Sequence, residues 1–247
     1  FLEHKEQYPF FDRMMYKAKT QYAVKHADKV IAVSAETKKD IVDLYWVDEK
    51  KVVVIPPPVA GDFQIAINQE KRNQTIQKYN LPGKYLLHVG SFFPRKNQKT
   101  LIEAFALVKD KVQEDLLLVG GVGTMLNEIK SLINSKGLND RVKILTGVSN
   151  EDMPAIYQAA SLLVFPALYE GFGMPVAEAL FSKIPVVTTG GGSMEEAGGK
   201  GSLYVDPLSP DEIAKAILKI GGDTQLRTRM IENGRAHAQT NTDKIIS

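Results

Sequence analysis

From Tyr85 onward the chain alternates short apolar runs with amphipathic stretches, and this alternation restricts the possible folds more than any other feature. The runs are Tyr85-Leu86-Leu87-His88-Val89, Leu116-Leu117-Leu118-Val119, Val142-Lys143-Ile144-Leu145, Leu162-Leu163-Val164-Phe165, Pro185-Val186-Val187-Thr188 and Leu203-Tyr204-Val205. A short apolar run with little polar alternation predicts a strand covered on both faces. Six such strands joined by helical crossovers predict an α/β fold, a doubly wound parallel sheet with helices on both faces. Right-handed connections then bring every strand's C-terminal end to one edge, where ligands of such sheets bind.

Upstream the pattern is thinner. Tyr8 to Ala27 reads as a helix, and Lys29-Val30-Ile31-Ala32-Val33-Ser34 as a buried strand. Ser34 is placed to cap a helix over Ala35–Tyr45, and Lys51-Val52-Val53-Val54-Ile55 forms a second strand. Two strands are too few for a parallel sheet, so this part reads as a fragment of a larger domain. Pro56-Pro57-Pro58 stops any regular element and favours a stiff connection. The expected organisation is therefore 1–58 as the C-terminal part of an N-terminal domain, 59–80 as a polar linker and entry, and 81–247 as the C-terminal domain. The start, Phe1-Leu2-Glu3-His4-Lys5, resembles neither a signal peptide nor an initiator methionine, and further natural residues are expected before it.

Charge and composition narrow the function classes. The 31 basic and 29 acidic side chains leave a net charge of +2, so neither nucleic acid nor an anionic membrane is expected as the main partner. No cysteine is present, which excludes disulfides, thiolate zinc sites and cysteine nucleophiles and fits a reducing, cytoplasmic setting. No apolar run approaches the roughly 18 residues of a membrane helix. The histidines His4, His26, His88 and His237 lack ligand-like spacing, and His88 reads as structural. No metal site is expected.

Two stretches carry chemistry. In Phe165-Pro166-Ala167-Leu168-Tyr169-Glu170-Gly171-Phe172-Gly173-Met174-Pro175-Val176-Ala177-Glu178 a strand ends, a glycine-bounded turn follows and Pro175 opens a helix. Two carboxylates beside free helix amides suit a polyhydroxylated ligand with phosphates. The same spacing also serves an ordinary strand-to-helix joint with a solvated Glu178. In Ser91-Phe92-Phe93-Pro94-Arg95-Lys96-Asn97 two cations precede a helix beginning near Gln98, against the helix dipole. An anion between them would reconcile the two, although a solvated loop pair is the plainer reading.

Glu170, seven intervening residues and Glu178, with Gly171-Phe172-Gly173 after the first acid, resembles the signature of the glycogen-synthase-like and mannosyltransferase-like retaining glycosyltransferases, glycosyltransferase group 1. Three further stretches resemble that family in the correct order. They are Ala27-Asp28-Lys29-Val30-Ile31-Ala32-Val33-Ser34 with Thr37, His88-Val89-Gly90-Ser91 through Pro94-Arg95-Lys96-Asn97, and Ser202-Leu203-Tyr204-Val205-Asp206-Pro207. The resemblance implies a GT-B fold of two Rossmann-like domains, here lacking most of the first. It implies that Glu178 holds the ribose hydroxyls and that Glu170 faces the donor sugar. Gly171, Phe172 and Gly173 would present backbone amides, while Arg95 and Lys96 would hold the diphosphate. Gly147-Val148-Ser149 resembles the segment that recognises the base. Many relatives carry arginine where this chain has Ser91, a departure for which Arg95 is the candidate compensation.

On this resemblance the expected activity is retaining transfer of a sugar, first of all mannose from GDP-mannose and next a UDP-sugar, to a glycan or lipid-linked acceptor in bacterial polysaccharide assembly. No cofactor or metal is implied. Peripheral membrane association would reside in the residues before Phe1, and the present chain is expected to bind donor but to transfer poorly. A non-catalytic nucleotide-sugar sensor or scaffold and a sugar-nucleotide epimerase of the same architecture are the alternatives. Gly120-Gly121-Val122-Gly123 reads as a tight turn at the cleft edge rather than a dinucleotide fingerprint. Gly190-Gly191-Gly192-Ser193, leading to Glu195 and Glu196, either shapes the sugar pocket or is a flexible turn with surface acids.

Overall fold

The computed structural model describes residues 10–246, with side chains over 11–240. His4, Tyr8 and the expectations placed on residues 1–9 lie outside the described residues. The chain forms two compact units, Phe1–Pro56 and Pro57–Ser247, divided inside the proline block.

The first unit contains α1 (Phe10–His26), β1 (Val30–Ala32), α2 (Ala35–Tyr45) and β2 (Val52–Val54). Its two strands are parallel, with Val30 opposite Val52 and Ala32 opposite Val54. The Ser34 hydroxyl accepts the Thr37 backbone N–H at 3.0 Å, which satisfies a helix-end donor and starts α2 at Ala35. Trp46 ends the helix in the left-handed conformation at φ 56°, its N–H donating to the Val42 carbonyl.

The second unit begins earlier than its first strand. Residues 59–80, expected to be the linker and entry to the second domain, hold a 3-10 turn at Gly61–Phe63 and the helix α3 (Gln69–Tyr79), capped by the Asn68 side chain. The Gln, Lys and Asn content hides this helix from an apolar-periodicity reading, although Gln and Lys are good helix formers. Only Thr75 in it is buried.

Next come β3 (Tyr85–Val89), α4 (Gln98–Val108), β4 (Asp115–Val119), α5 (Leu126–Ser135), β5 (Val142–Leu145), α6 (Met153–Ala159) and β6 (Leu162–Phe165). The chain closes with α7 (Met174–Phe181), β7 (Val186–Thr189), α8 (Gly192–Gly198), β8 (Ser202–Val205), α9 (Pro210–Gly222) and α10 (Thr224–Ile246). All six strands are parallel, in the order β5-β4-β3-β6-β7-β8. The six apolar runs thus became strands with ends within a residue or two of those expected.

Burial follows from that order. β3, β4 and β6 lie inside the sheet and are covered on both faces, so Leu86, Leu87, Leu116, Leu117, Leu118, Leu163 and Val164 are all at most 2 % exposed. On one face Leu86, Leu116, Leu118 and Val164 meet Leu101, Ile102 and Phe105 of α4, Ile129 of α5, and Ile213 and Ile217 of α9. Each large side chain removed from water contributes about 1.5–3 kcal/mol, which offsets chain entropy across the whole sheet. After β5 the chain returns past β3 to start β6, so successive connections diverge between β3 and β6. The loops leaving these two strands flank the crevice where doubly wound sheets bind ligands.

Candidate nucleotide-sugar site

The loop after β3 is held in place by its own side chains. Pro94–Lys96 forms one 3-10 turn, Asn97 takes the left-handed conformation at φ 57°, and α4 starts at Gln98. Asn97 Nδ2 donates to the carbonyls of Pro166, at 2.9 Å, and Pro207, at 2.7 Å, while its Oδ1 accepts from Thr100 Oγ1. One buried amide therefore ties together the segments following β3, β6 and β8. Gln98 Nε2 donates to the Gly90 and Ser91 carbonyls, and the Leu168 N–H donates to the Arg95 carbonyl at 2.8 Å.

These contacts bring Arg95, Lys96 and Glu170 together across 74 residues of sequence and more. Arg95 Nη1 donates to Glu170 Oε1 at 2.7 Å, and Lys96 Nζ donates to the same oxygen. Lys96 is buried, its ammonium 5.1 Å from the centre of the Phe165 ring. Burial holds its pKa below the usual lysine value, partly opposed by the Glu170 charge and reinforced by the neighbouring Arg95. Ser193, at the start of α8, donates to the Glu170 backbone carbonyl at 2.6 Å. The glycine-rich segment at 190–193 thus opens a helix that steadies the Glu170 loop, which the sequence left undecided.

The turn into α7 depends on Gly173. Its φ of 102° disfavours any side chain, and a Cβ there would also press on Met194 Sδ at 3.0 Å and Ala197 Cβ at 3.3 Å. Phe172 is buried at 7 % exposure, so what this stretch offers a ligand is backbone. Four residues into α7, Glu178 accepts the Tyr157 hydroxyl at its Oε2, 2.6 Å away. Burial raises the Glu178 pKa, opposed by that hydrogen bond and by the Lys96 charge.

Glu178 borders a cleft of about 650 Å³ at the C-terminal edge of the sheet. Val89 and Val119 form its floor, Gly120, Gly121, Gly147 and Val148 one rim, and Phe63, Met153, Pro154 and Met174 much of its apolar wall. The volume is within the range of small-molecule sites. Of the residues expected at the site, Glu178, Gly147 and Val148 line this cleft. Arg95, Lys96 and Glu170 form the adjoining ionic cluster, and Ser91 sits next to the rim, its Oγ 3.1 Å from where a Cβ of Gly121 would lie. Gly171, Phe172 and Gly173 connect Glu170 to α7.

Gly120 also shows why this rim carries no side chains. A Cβ there would fall on the Gly90 carbonyl oxygen, well inside van der Waals contact. The glycines at 120–123 are a close-packed turn at the cleft edge, as their spacing suggested. His88 is fully buried, with Nδ1 3.0 Å from the Val164 carbonyl; burial pushes its pKa down to about 4, which keeps it neutral near pH 7. His237 contacts the Glu196 carbonyl through Nε2 at 2.8 Å and His26 the Tyr22 carbonyl through Nδ1 at 2.8 Å. Among the described residues no group of three or more His, Asp or Glu is placed to hold a metal ion, and no helix is long and apolar enough to cross a membrane.

Three contributors escaped the sequence reading. Tyr157 belongs to the apolar run Ala155-Ile156-Tyr157, where nothing marks it as facing Glu178. Phe63 lies in the supposed linker. Asp152 is a buried carboxylate accepting from Lys71, Lys78, Tyr79 and Ser149, and it anchors the segment whose neighbours Asn150, Glu151, Met153 and Pro154 line the cleft.

Comparison with known proteins decides the family. The family described as Glycosyl transferases group 1 matches residues 69–237, more than half of the chain. The chain belongs to that family. A second family, Glycosyltransferase Family 4, matches residues 2–62. This group 1 glycosyltransferase chain is 29% identical over 232 residues to O-antigen chain mannosyltransferase B of Escherichia coli, covering 92% of this chain and 61% of that protein. It is also 29% identical over 223 residues to mannosylfructose-phosphate synthase of Agrobacterium fabrum, covering 86% of this chain and 49% of that one. The chain therefore spans about half to three fifths of the length of these two relatives.

Solved glycosyltransferases share the fold of this group 1 chain. An Anabaena protein, HepE, solved in complex with UDP and glucose, superposes with a TM-score of 0.78 at 23% identity, covering 91% of this chain and 63% of its own. The C-terminal domain of a glycosyl transferase group 1 family protein from Francisella tularensis has a TM-score of 0.62 at 26% identity. It covers 72% of this chain and 96% of that domain.

Proposed function

We propose that the protein is a retaining glycosyltransferase that moves a sugar, in first place mannose from GDP-mannose, to a hydroxyl of a glycan or lipid-linked acceptor. The observation that carries this reading is the Arg95–Lys96–Glu170 cluster set beside a cleft bordered by Glu178, at the crevice edge of the sheet. A donor diphosphate placed at Arg95 and Lys96 would meet two cations, one of them largely removed from water, where charge stabilisation is strong. The cleft would take the nucleoside, with the ribose at Glu178 and the base near Gly147 and Val148. Glu170 would then face the sugar and stabilise positive charge at its anomeric carbon.

In the proposed reaction the bond between the anomeric carbon and the diphosphate oxygen breaks. The acceptor oxygen bonds to the same face, and its proton passes to the departing diphosphate. The cations and backbone amides supply the positive charge, without a metal. Relatives named as mannosyltransferases favour a mannose donor. The likeness to a protein solved with UDP and with UDP-glucose keeps UDP-sugars next.

The test is thermal unfolding of the chain with GDP, UDP, ADP, GDP-mannose and UDP-glucose, alongside Glu178→Ala and Lys96→Ala. A ligand at 100 times its Kd stabilises the native state by about 2.7 kcal/mol. A base-selective shift that both substitutions weaken is the expected result. A folded chain that responds to none of these ligands would sink the proposal. Product analysis then separates transfer, which yields a new glycoside, from epimerisation, which changes the donor's stereochemistry, and from sensing, which leaves the donor intact.

A further inference from the structure

Tyr157 stands behind Glu178, one of the polar residues that line the cleft. It lies on α6, is fully buried, and does not itself line the cleft. Its hydroxyl donates to Glu178 Oε2 at 2.6 Å, and its ring meets Phe63 edge-on with centroids 5.3 Å apart. Glu178 and Phe63 both border the cleft. One buried phenol thus supports a polar and an apolar wall from behind.

The consequence for Glu178 is directional. A free glutamate has several rotamers, and its two carboxylate oxygens are equivalent. With Oε2 accepting from the phenol, rotation of the carboxylate is restricted and Oε1 keeps both of its lone pairs for a ligand. Burial raises the Tyr157 pKa well above the usual tyrosine value, with the neighbouring Glu178 charge acting in the same direction. The phenol therefore keeps its proton throughout the physiological range and acts as a donor. Because that hydrogen bond also opposes the upward shift that burial imposes on Glu178, it helps keep the acid ionised and acceptor-only.

We propose that Tyr157 is a positioning residue of the nucleotide site: by donating to Glu178 Oε2 it aims Oε1 at the vicinal ribose hydroxyls and so makes the cleft selective for ribonucleotides. The inference rests on the assignment of Glu178 to the ribose. A hydrogen bond to a charged acceptor contributes about 1.5–3 kcal/mol, roughly ten- to more than a hundredfold in affinity. The phenol converts that contribution from an average over rotamers into a fixed contact.

The experiment is calorimetric titration of the chain and its Tyr157→Phe variant with GDP, UDP or ADP, whichever binds wild type, and with the 2′,3′-dideoxy form of the same nucleotide. Wild type is expected to prefer the ribonucleotide by about tenfold or more. In Tyr157→Phe the ring stays, the preference falls several-fold, and affinity for the dideoxy form is nearly unchanged. A purely packing role would weaken both ligands alike and leave their ratio intact, and that result overturns the inference alone. Wild type that binds both forms equally removes the ribose assignment of Glu178, and the inference with it. A wild type that binds no nucleotide removes the proposed function first. Should Tyr157→Phe not fold, Tyr157→Met, which fills much of the space without a hydroxyl, is read by the same ratio.

Discussion

Asp152 offers a sharp test of how the cleft wall is held. Its side chain is 3 % exposed, and its carboxylate accepts from Lys71 at 2.6 Å, Lys78 at 2.7 Å, Tyr79 Oη at 2.8 Å and Ser149 Oγ at 2.8 Å. Lys71 and Lys78 are 40 % and 58 % exposed, so each can rehydrate, and their pairs are the minor part of the network. The hydroxyl bonds to a buried charge contribute more, about 1.5–3 kcal/mol each before the substitute's own hydrogen bonds are counted. Asn at this position keeps the shape and accepts part of the network. The expected loss for Asp152→Asn is therefore about 2–3 kcal/mol, or roughly 4–12 °C in Tm for a unit of this size.

The pH dependence of that loss has a fixed sign. Burial by itself would raise the Asp152 pKa, but the four donors outweigh it and hold the group well below its ordinary 3.8. A depressed folded-state pKa contributes stability that is complete above the unfolded value and disappears as pH falls through the folded one. The gap between wild type and Asp152→Asn should be constant from neutral pH to about 5 and narrow only below about 4. Differential scanning calorimetry at pH 7, 5 and 3 measures this. A variant within 0.5 kcal/mol of wild type at pH 7, on the order of an ordinary surface change, would refute the reasoning, as would a gap that widens towards pH 3.

Two further substitutions test the loops around the site. Asn97→Ala removes the donor shared by the Pro166 and Pro207 carbonyls and leaves a side chain in the left-handed region; it should cost about 2–4 kcal/mol, read as a lower urea midpoint with unchanged slope. Gly120→Ala drives a Cβ into the Gly90 carbonyl and should cost about 1–3 kcal/mol or more, whereas Gly61→Ala, with nothing within 4 Å of the new Cβ, serves as the neutral comparison by thermal melting.

The six-stranded sheet was legible because uninterrupted apolar runs can only be buried strands when helical stretches separate them. Leu116-Leu117-Leu118-Val119 leaves no polar face for water, so the strand had to be interior. The Ser34 cap was equally local, set by side-chain chemistry within one helical turn. α3 was hidden for the complementary reason: with only Thr75 buried, it carries almost no apolar periodicity.

The candidate site divides along the same line. Sequence alone determined that Glu170, Glu178, Arg95 and Lys96 follow strand ends, because strand, glycine turn and helix succeed one another within a few residues. Tertiary structure decided that Glu170 pairs with Arg95 and Lys96, that Asn97 joins three strand-end segments, and that Tyr157 stands behind Glu178. These contacts depend on β6 lying beside β3 rather than beside β5, its predecessor in the chain. Local patterns fix which residues are buried or capped, but strand order brings distant residues together, and that order is selected by the packing of the whole sheet.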